Sequence, residues 1–324
     1  MVSEAEVEMA YRLILGREPE NREVVIGKAR HFQSLDDLRR DMITSPEFAQ
    51  SLADRNALTP TDAGTKPLIW PPCRADVDVP GPTLERMIRR IEGEFVELGS
   101  REPHWSVLTE ERFKAENIGQ NEDDFFASGE LAVSALRVAA DRLGLKLGRY
   151  RSCFELGCGL GRITLWLARE FRHVIAGDIS AVHLKHAEHA AKARRVNNVT
   201  FTHLNNIAKY AELPRFDVFF SMIVLQHNPP PVIAFILEKI LDRLNPGGIA
   251  YFQVPTYIMN YQFDAERYLA SEPVEGEVEV HCLPQEALFR IIDRTGCKVL
   301  EIREDGAIGF PAISNRLLLQ KKPG

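Results

Sequence analysis

The run Phe154-Glu155-Leu156-Gly157-Cys158-Gly159-Leu160-Gly161-Arg162 constrains the fold of this 324-residue chain more than any other segment. An apolar strand end runs into three alternate glycines, and an amphipathic stretch follows at once. A strand that turns sharply into a helix needs backbone freedom, and a Cβ at the turn would hold a ligand away from the main chain. A unit of this kind opens a nucleoside-binding α/β sheet, with the ligand at the carboxyl edge of the strands.

The segments that follow extend the same sheet. His173 to Ile179 reads as a buried strand that ends in a carboxylate, Asp178. Asn198 to Leu204 reads as a third strand, followed by Asn205 and Asn206. Phe216 to Val224 is a nearly continuous apolar run, as expected of a central parallel strand covered on both faces. Leu244-Asn245-Pro246-Gly247-Gly248 predicts a helix end, with a fifth strand from Ile249 to Val254. Leu283-Pro284-Gln285-Glu286 opens a further helix, and Cys297–Arg303 and Asn315–Gln320 read as the last two strands.

The glycine spacing bears on the ligand. In the dinucleotide fingerprint G-x-G-x-x-G the third glycine would fall at position 162, which is arginine; here it comes one residue early, at Gly161. Glu155 stands two residues before the first glycine, where a pyrophosphate would need neutral or positive surroundings. An acidic group there suits a ligand that carries an ammonium and a sulfonium, which points to S-adenosylmethionine. Asp178 can accept hydrogen bonds from vicinal ribose hydroxyls, each contributing about 1.5–3 kcal/mol. A surface aspartate capping the next helix is the weaker reading, because Ser180 can serve as that cap. The plain alternative for the whole loop is a glycine-rich turn that binds nothing.

Taken in order, the glycine motif, Asp178, the Phe216–His227 run and the Asn-Pro-Gly-Gly turn resemble a class I S-adenosylmethionine-dependent methyltransferase, over roughly residues 120–322. The resemblance implies an α/β, Rossmann-like, doubly wound sheet of seven strands, mostly parallel with an antiparallel last strand. It sets Gly157, Gly159 and Gly161 beside the methionine part of the cofactor and Glu155 near its ammonium, with Cys158, Arg162 and Ile179 in the same binding set. Asp178 would take the ribose, Asn205 and Asn206 the adenine edge, and Ser221 and Met222 would offer backbone to the methionine end. Aspartate is common in the family where Asn205 stands; an amide oxygen can still accept from the adenine amino group. The run from Phe125 and Phe126 to Gly129 is similar to segments that fold over the cofactor in related enzymes, with helix packing as the alternative for the two phenylalanines.

Composition agrees with a soluble globular protein: 45% hydrophobic and 27% charged residues. No apolar stretch approaches the ~20 residues that span a bilayer. The acidic first ten residues argue against a signal peptide, and five scattered cysteines with no C-x-x-C pair fit a reducing cytoplasm rather than a disulfide framework or zinc site. The net charge of −6 and the absence of a basic block argue against a nucleic-acid partner. The pairs Arg89-Arg90 and Arg194-Arg195 read as solvated helix faces. His183, His186 and His189 span about 120° of one helix and read as an exposed polar face rather than a metal site.

The chain divides visibly. Residues 1–58 predict a helical accessory module: Val7, Tyr11 and Leu15 share a helix face, Leu15 to Pro19 stops that helix, and Leu35 and Leu38 begin another. Ser45-Pro46-Glu47-Phe48 has the form of a cap followed by Pro at the first helical position. Tyr11–Arg17 with Ser45–Phe48 resembles a small phycobilisome-linker-type module. Such modules accompany glycosyltransferases and methyltransferases of bacterial surface-polysaccharide pathways, which implies a docking role; a plain helical cap is the alternative. Residues 59–82, with Pro60, Pro67, Pro71, Pro72, Pro80 and Pro82, predict a semi-extended linker. Residues 83–150 predict a helical cap, with Leu84, Met87, Ile88, Ile91 and Phe95 on one helix face. Residues 151–324 form the cofactor-binding domain, with a Tyr- and acid-rich lid insertion at 256–281 that includes Glu272, Glu275, Glu277 and Glu279.

Methyl transfer disperses charge rather than creating it, so the protein mainly positions the nucleophile. A sugar hydroxyl benefits from a base, by roughly 10²–10⁴-fold. His227 after the fourth strand and His281 after the lid are candidate bases, each with a structural histidine as the alternative. Trp105, Tyr257 and Tyr261 are candidate acceptor contacts, with interdomain packing the alternative for Trp105. Val280-His281-Cys282-Leu283-Pro284 and Ser314-Asn315-Arg316 are similar to patterns in methyltransferases of polysaccharide loci, which implies a saccharide acceptor and a glycosyltransferase as a possible partner.

Overall fold

The computed structural model describes residues 2–15, 17–48, 71–272 and 278–323. Gly16, Pro60, Pro67, Glu275 and Glu277, with the larger part of the expected linker, lie outside the described residues. The chain forms two compact units, Met1–Pro71 and Pro72–Gly324.

In the first unit, α1 (Glu4–Ala10), α2 (Arg22–His31) and α3 (Leu35–Ile43) each start on a side-chain cap, from Ser3, Asn21 and Ser34. Val7, Tyr11, Val25, Leu38 and Met42 are buried together as a small core. Ser45 accepts the Phe48 amide at 3.1 Å, so the expected cap after α3 is present.

The second unit contains β1 (Arg74–Ala75), α4 (Gly81–Arg101), α5 (Glu122–Arg142), β2 (Ser152–Leu156), α6 (Thr164–Glu170), β3 (His173–Asp178), α7 (Ala181–Ala193), β4 (Val199–His203) and α8 (Ile207–Glu212). These are followed by β5 (Phe216–Ser221), α9 (Pro230–Arg243), β6 (Leu244–Ile258), β7 (Gln262–Phe263), α10 (Ala265–Ala270), α11 (Gln285–Arg294), β8 (Cys297–Glu304) and β9 (Ala312–Lys321). Seven strands pair in the order β4-β3-β2-β5-β6-β9-β8. β9 runs antiparallel to both neighbours, and every other pairing in the sheet is parallel.

Period-two alternation decides which side chain meets which helix layer. Phe154, Phe219, Phe252 and Leu317 face one side, with α4, α9 and α11. Their immediate neighbours Cys153, Val218, Tyr251 and Leu318 face the other, with α5 and α6. Both faces are covered, which is why β5 reads as a nearly continuous apolar run.

Three boundaries differ from the sequence expectation. Asn-Pro-Gly-Gly does not separate α9 from a six-residue strand: β6 starts at Leu244, opposite Phe216, bulges through Asn245–Gly248, and resumes at Ile249 opposite Val218. It continues to Ile258, into the stretch expected as a lid, because β9 is long enough to pair with it as far as Ala312. The end of the expected linker is also structured. β1 pairs in parallel with β7, and α4 begins on Gly81-Pro82 with proline in its first turn.

Candidate functional site

The β-to-helix turn after β2 is built as its glycines require. Gly157 and Gly159 have φ of 72° and 53°, a region that favours glycine, and a Cβ on Gly159 would lie 2.7 Å from Val107. Val224 fills the same position over Gly157. It is turned there by Ile223, a β-branched residue with φ of 58°, an outlier that costs on the order of 1–3 kcal/mol and persists where surrounding structure enforces it.

The turn opens into a cavity of about 280 Å³ at the carboxyl ends of β2, β3 and β5. Its walls include Glu155, Cys158, Arg162, Asp178, Ile179, Met222, Gln226 and His227 from the strand ends, and Ile91, Phe95, Ser106, Val107 and Leu108 from α4 and the stretch after it.

The polar groups of the turn test which ligand fits. The Gly157 and Cys158 amides both donate to Gly177 O, at 2.7 and 3.1 Å, and the Gly161 amide donates to Cys158 O. The Gly159 amide donates to Asp178 Oδ2 at 2.8 Å, and the Ser180 amide to Asp178 Oδ1 at 2.8 Å. These five amides are therefore committed internally rather than aimed at an anion. Two carboxylates, Glu155 and Asp178, line the wall instead. Burial pushes the Glu155 carboxyl up to about 7, against the Thr164 hydroxyl bond (2.5 Å) and the nearby Arg162 charge. Burial likewise lowers Arg162, whose Nη1 bonds Ser128 at 3.1 Å while its buried Nε has no partner. A ligand with an ammonium for Glu155, a carboxylate for Arg162 and a ribose for Asp178 fits this donor and acceptor set. A pyrophosphate does not.

His227 lines the opposite rim. Its Nδ1 faces the Glu279 carbonyl oxygen at 3.1 Å, so Nδ1 carries the proton. Gln226 Oε1 accepts from Gln253 Nε2 at 3.1 Å, which turns the Gln226 amide NH₂ to His227 Nε2 at 3.2 Å. Both contacts leave the Nε2 lone pair as the acceptor. Burial lowers the His227 pKa, although the Glu279 bond opposes this, so the ring is neutral near pH 7.

The structure brings together Glu155, Gly157, Cys158, Gly159, Arg162, Asp178, Ile179, Met222 and His227 around the cavity and leaves other expected site residues outside its lining. Gly161 packs on Ala187. Asn205 donates to Glu92, and its Oδ1 accepts from Asn206; that amide oxygen is thus engaged within the chain, and Asn206 caps α8. Ser221 is buried and bonds Leu156 O. Phe126 packs with Phe113 and Phe125, while Gly129 allows α5 to press on the backbone at Arg162, where a Cβ would collide with Arg162 O. Trp105 and Tyr257 are partly exposed and also lie outside the lining.

His281 differs most from its expected role. It is buried behind the rim, with Nε2 2.9 Å from Glu279 and Nδ1 2.7 Å from the Tyr261 hydroxyl, and Phe263 and Tyr268 against its ring. Arg90 is no solvated side chain: it bonds Glu94 and Glu279, lies over Tyr268 and donates to the Tyr268 carbonyl. Arg194 lies over the Phe126 ring. His183 also departs from the exposed face expected of it. It turns inward to line the cavity, with Nε2 2.9 Å from Ser106 Oγ in space that Gly99 leaves open, whereas His186 and His189 are exposed.

Sequence reasoning missed Phe95, Ser106, Val107, His183 and Gln226 as cavity residues. Phe95 already lay on the apolar face of its helix, and Gln226 adjoins His227, but nothing local marked the others. Among the described residues no group of three or more His, Cys, Asp or Glu side chains could hold a metal, and no helix is long and apolar enough to cross a membrane.

A methyltransferase-domain family model matches residues 154–248. The chain is 26% identical over 140 residues to (S)-coclaurine N-methyltransferase of Papaver somniferum; the match spans 43% of this chain and 38% of that protein, well under half of its length. Among solved structures, magnesium protoporphyrin IX methyltransferase from Synechocystis PCC 6803 with bound SAH is 15% identical. Its match covers 72% of this chain and 98% of that one at a TM-score of 0.48. An S-adenosylmethionine-dependent methyltransferase from Clostridium acetobutylicum ATCC 824 is 12% identical, covering 64% and 98% at 0.46. Residues 154–248 thus match a methyltransferase-domain family model, and they lie in a seven-stranded, mostly parallel Rossmann-like sheet of order β4-β3-β2-β5-β6-β9-β8.

Proposed function

We propose that the chain is an S-adenosylmethionine-dependent methyltransferase that O-methylates a saccharide, with His227 as the base. The observation that carries this reading is the pairing of two carboxylates with a neutral, tautomerically fixed histidine across one cavity. When bound, S-adenosylmethionine supplies an electrophilic methyl group on a sulfonium.

Glu155, Arg162 and Asp178 hold its charged and ribose portions. Val107 and Val224 press on the glycine turn and exclude water from it. His227 Nε2 accepts the proton of the acceptor hydroxyl once that hydroxyl takes the place of the Gln226 amide, and the Glu279 carbonyl keeps the imidazole aimed as it charges. Arg90, His281 and Tyr261 brace Glu279 from behind and so act as positioning residues.

The saccharide reading draws support from the rim, where the Phe95 ring stands 6.3 Å from that of His227 beside Gln226 and Asn228. An aromatic face flanked by amide side chains takes the apolar face and the hydroxyls of a pyranose together. An amine acceptor is the second reading, favoured by the apolar wall of Ile91, Val107 and Leu108 and by the N-methyltransferase relative. The first unit, with a core of its own, is read as a docking element for a glycosyltransferase or other assembly partner. Conversion of S-adenosylmethionine to S-adenosylhomocysteine, measured against a panel of sugars and secondary amines, tests the assignment. Turnover with sugars alone supports it, turnover with amines alone replaces the acceptor, and cofactor binding without any turnover favours a non-catalytic scaffold.

A further inference from the structure

Cys73 and Cys282 lie 209 residues apart in sequence, yet their sulfurs are 3.9 Å from each other. Backbone hydrogen bonds hold Cys73 on one side and Cys282 on both. The residue after Cys73 begins β1, where the Arg74 amide donates to Tyr261 O and Arg74 pairs with Gln262 of β7. Cys282 is fixed by the His281 amide on Gln226 O and the Leu283 amide on Pro255 O. The contact is therefore a product of two anchored backbone segments rather than of two loose side chains.

The two thiols are unequal. Cys282 is fully buried, while Cys73 is half-buried and open to small solutes. Among the described residues no metal-binding group includes this pair. The sulfurs, 3.9 Å apart, need to approach to about 2.05 Å to bond.

We propose that Cys73 and Cys282 form an oxidisable pair, with hydrogen peroxide as the oxidant, that closes to a disulfide tying the β1 edge to the segment between Val278 of the cavity wall and α11. Cys73 is the attacking thiol: the bond from the Cys282 thiol, opposed by burial, brings it down to about 7, so much of it is thiolate at neutral pH. Cys282, whose pKa is pushed up by the same contact and by burial, keeps its proton.

In the first step the Cys73 thiolate attacks one peroxide oxygen, the O–O bond breaks, and Cys73 sulfenic acid and hydroxide form. In the second, Cys282 sulfur attacks the Cys73 sulfur, the S–O bond breaks, and the departing hydroxyl leaves as water with the Cys282 proton. The hydroxide from the first step takes up the proton that Cys73 gave to solvent on ionising, so in sum two thiols are oxidised and one peroxide is reduced to two waters. This chemistry stands apart from the methyltransferase assignment and does not depend on it.

The experiment uses the full chain, reduced, desalted and treated with stoichiometric hydrogen peroxide. Because four of the five cysteines are buried, thiols are counted after quenching in acid and unfolding in denaturant, and peptides are mapped by mass spectrometry under non-reducing conditions. The expected result is loss of two of the five thiols, a single cross-linked peptide joining Cys73 to Cys282, and full recovery with dithiothreitol. In Cys282→Ser, Cys73 should stop at the sulfenic acid and be trapped by dimedone; in Cys73→Ser, no thiol should be lost at the same dose. Bridging through another cysteine, oxidation of Cys73 to sulfinic acid in the parent chain without a bridge, or an unchanged thiol count would each overturn the proposal.

Discussion

The two rims of the cavity are built by opposite means. The rim at β2 and β3 is local: Glu155 to Asp178 lie within 24 consecutive residues, and the turn satisfies its own amides from Gly177 and Asp178. The rim at His227 is assembled from far apart. The ring rests on a carbonyl at residue 279, and that residue's carboxylate is held by Arg90 and His281. On the proposed function, a short segment suffices to hold a cofactor of fixed shape, whereas the acceptor side draws on several segments that can vary independently. The expected consequence is that damage to one rim leaves the work of the other nearly intact.

The largest expected effect is on the distant rim. His227→Ala should lower turnover by about 10²–10⁴-fold, the range for loss of a general base. S-adenosylmethionine affinity, read by calorimetry, should change little. Equal losses in both quantities would make His227 a structural residue and erase the contrast.

On the local rim, Asp178→Asn should weaken cofactor binding by at least about tenfold, through loss of charge-assisted bonds. The acceptor KM should stay near its parent value. Unchanged cofactor affinity would remove the ribose role from Asp178.

Glu155 gives a pH test of the same rim. Its pKa in the free protein is raised to about 7, and an ammonium beside it favours the carboxylate. Cofactor binding should therefore release a proton near pH 6–7, and affinity should fall as pH drops below about 7. Calorimetry in buffers of different ionisation enthalpy reads that proton directly, and Glu155→Gln should abolish it. The same raised pKa sets the stability of the free protein: the Glu155 contribution is present in full below the unfolded value of 4.5 and is lost as pH rises through about 7.

The smallest effect is expected behind the local rim. Gly129→Ala places a Cβ against Arg162 O and should destabilise the fold by about 1–3 kcal/mol, seen as a lower midpoint in urea. A stability equal to that of the parent would show that α5 can move away from the turn freely.

What the sequence revealed follows the same division. β2, β3 and β5 were legible because both faces are covered and apolar residues dominate each run, and the glycines announce a turn at which a side chain would collide. The extent of β6 was not, since Asn245-Pro246-Gly247-Gly248 reads locally as a stop while the sheet absorbs it as a bulge. The inward turn of His183 depends on room left by Gly99, and the burial of Arg90 depends on Tyr268, Ser271 and Glu279, about 180 residues away. No periodicity along α4 or α7 encodes such partners. The bond from Asn205 to Glu92 of α4 was hidden for the same reason.

The most direct test of the central claim, that the β2–β3 rim is made for a cationic sulfonium ligand and not for a pyrophosphate, is a pair of calorimetric titrations of the full chain with S-adenosylmethionine and with NAD. The account predicts saturable one-to-one binding of the first, lost in Asp178→Asn, and no heat with the second. Binding of NAD with no response to S-adenosylmethionine would contradict it.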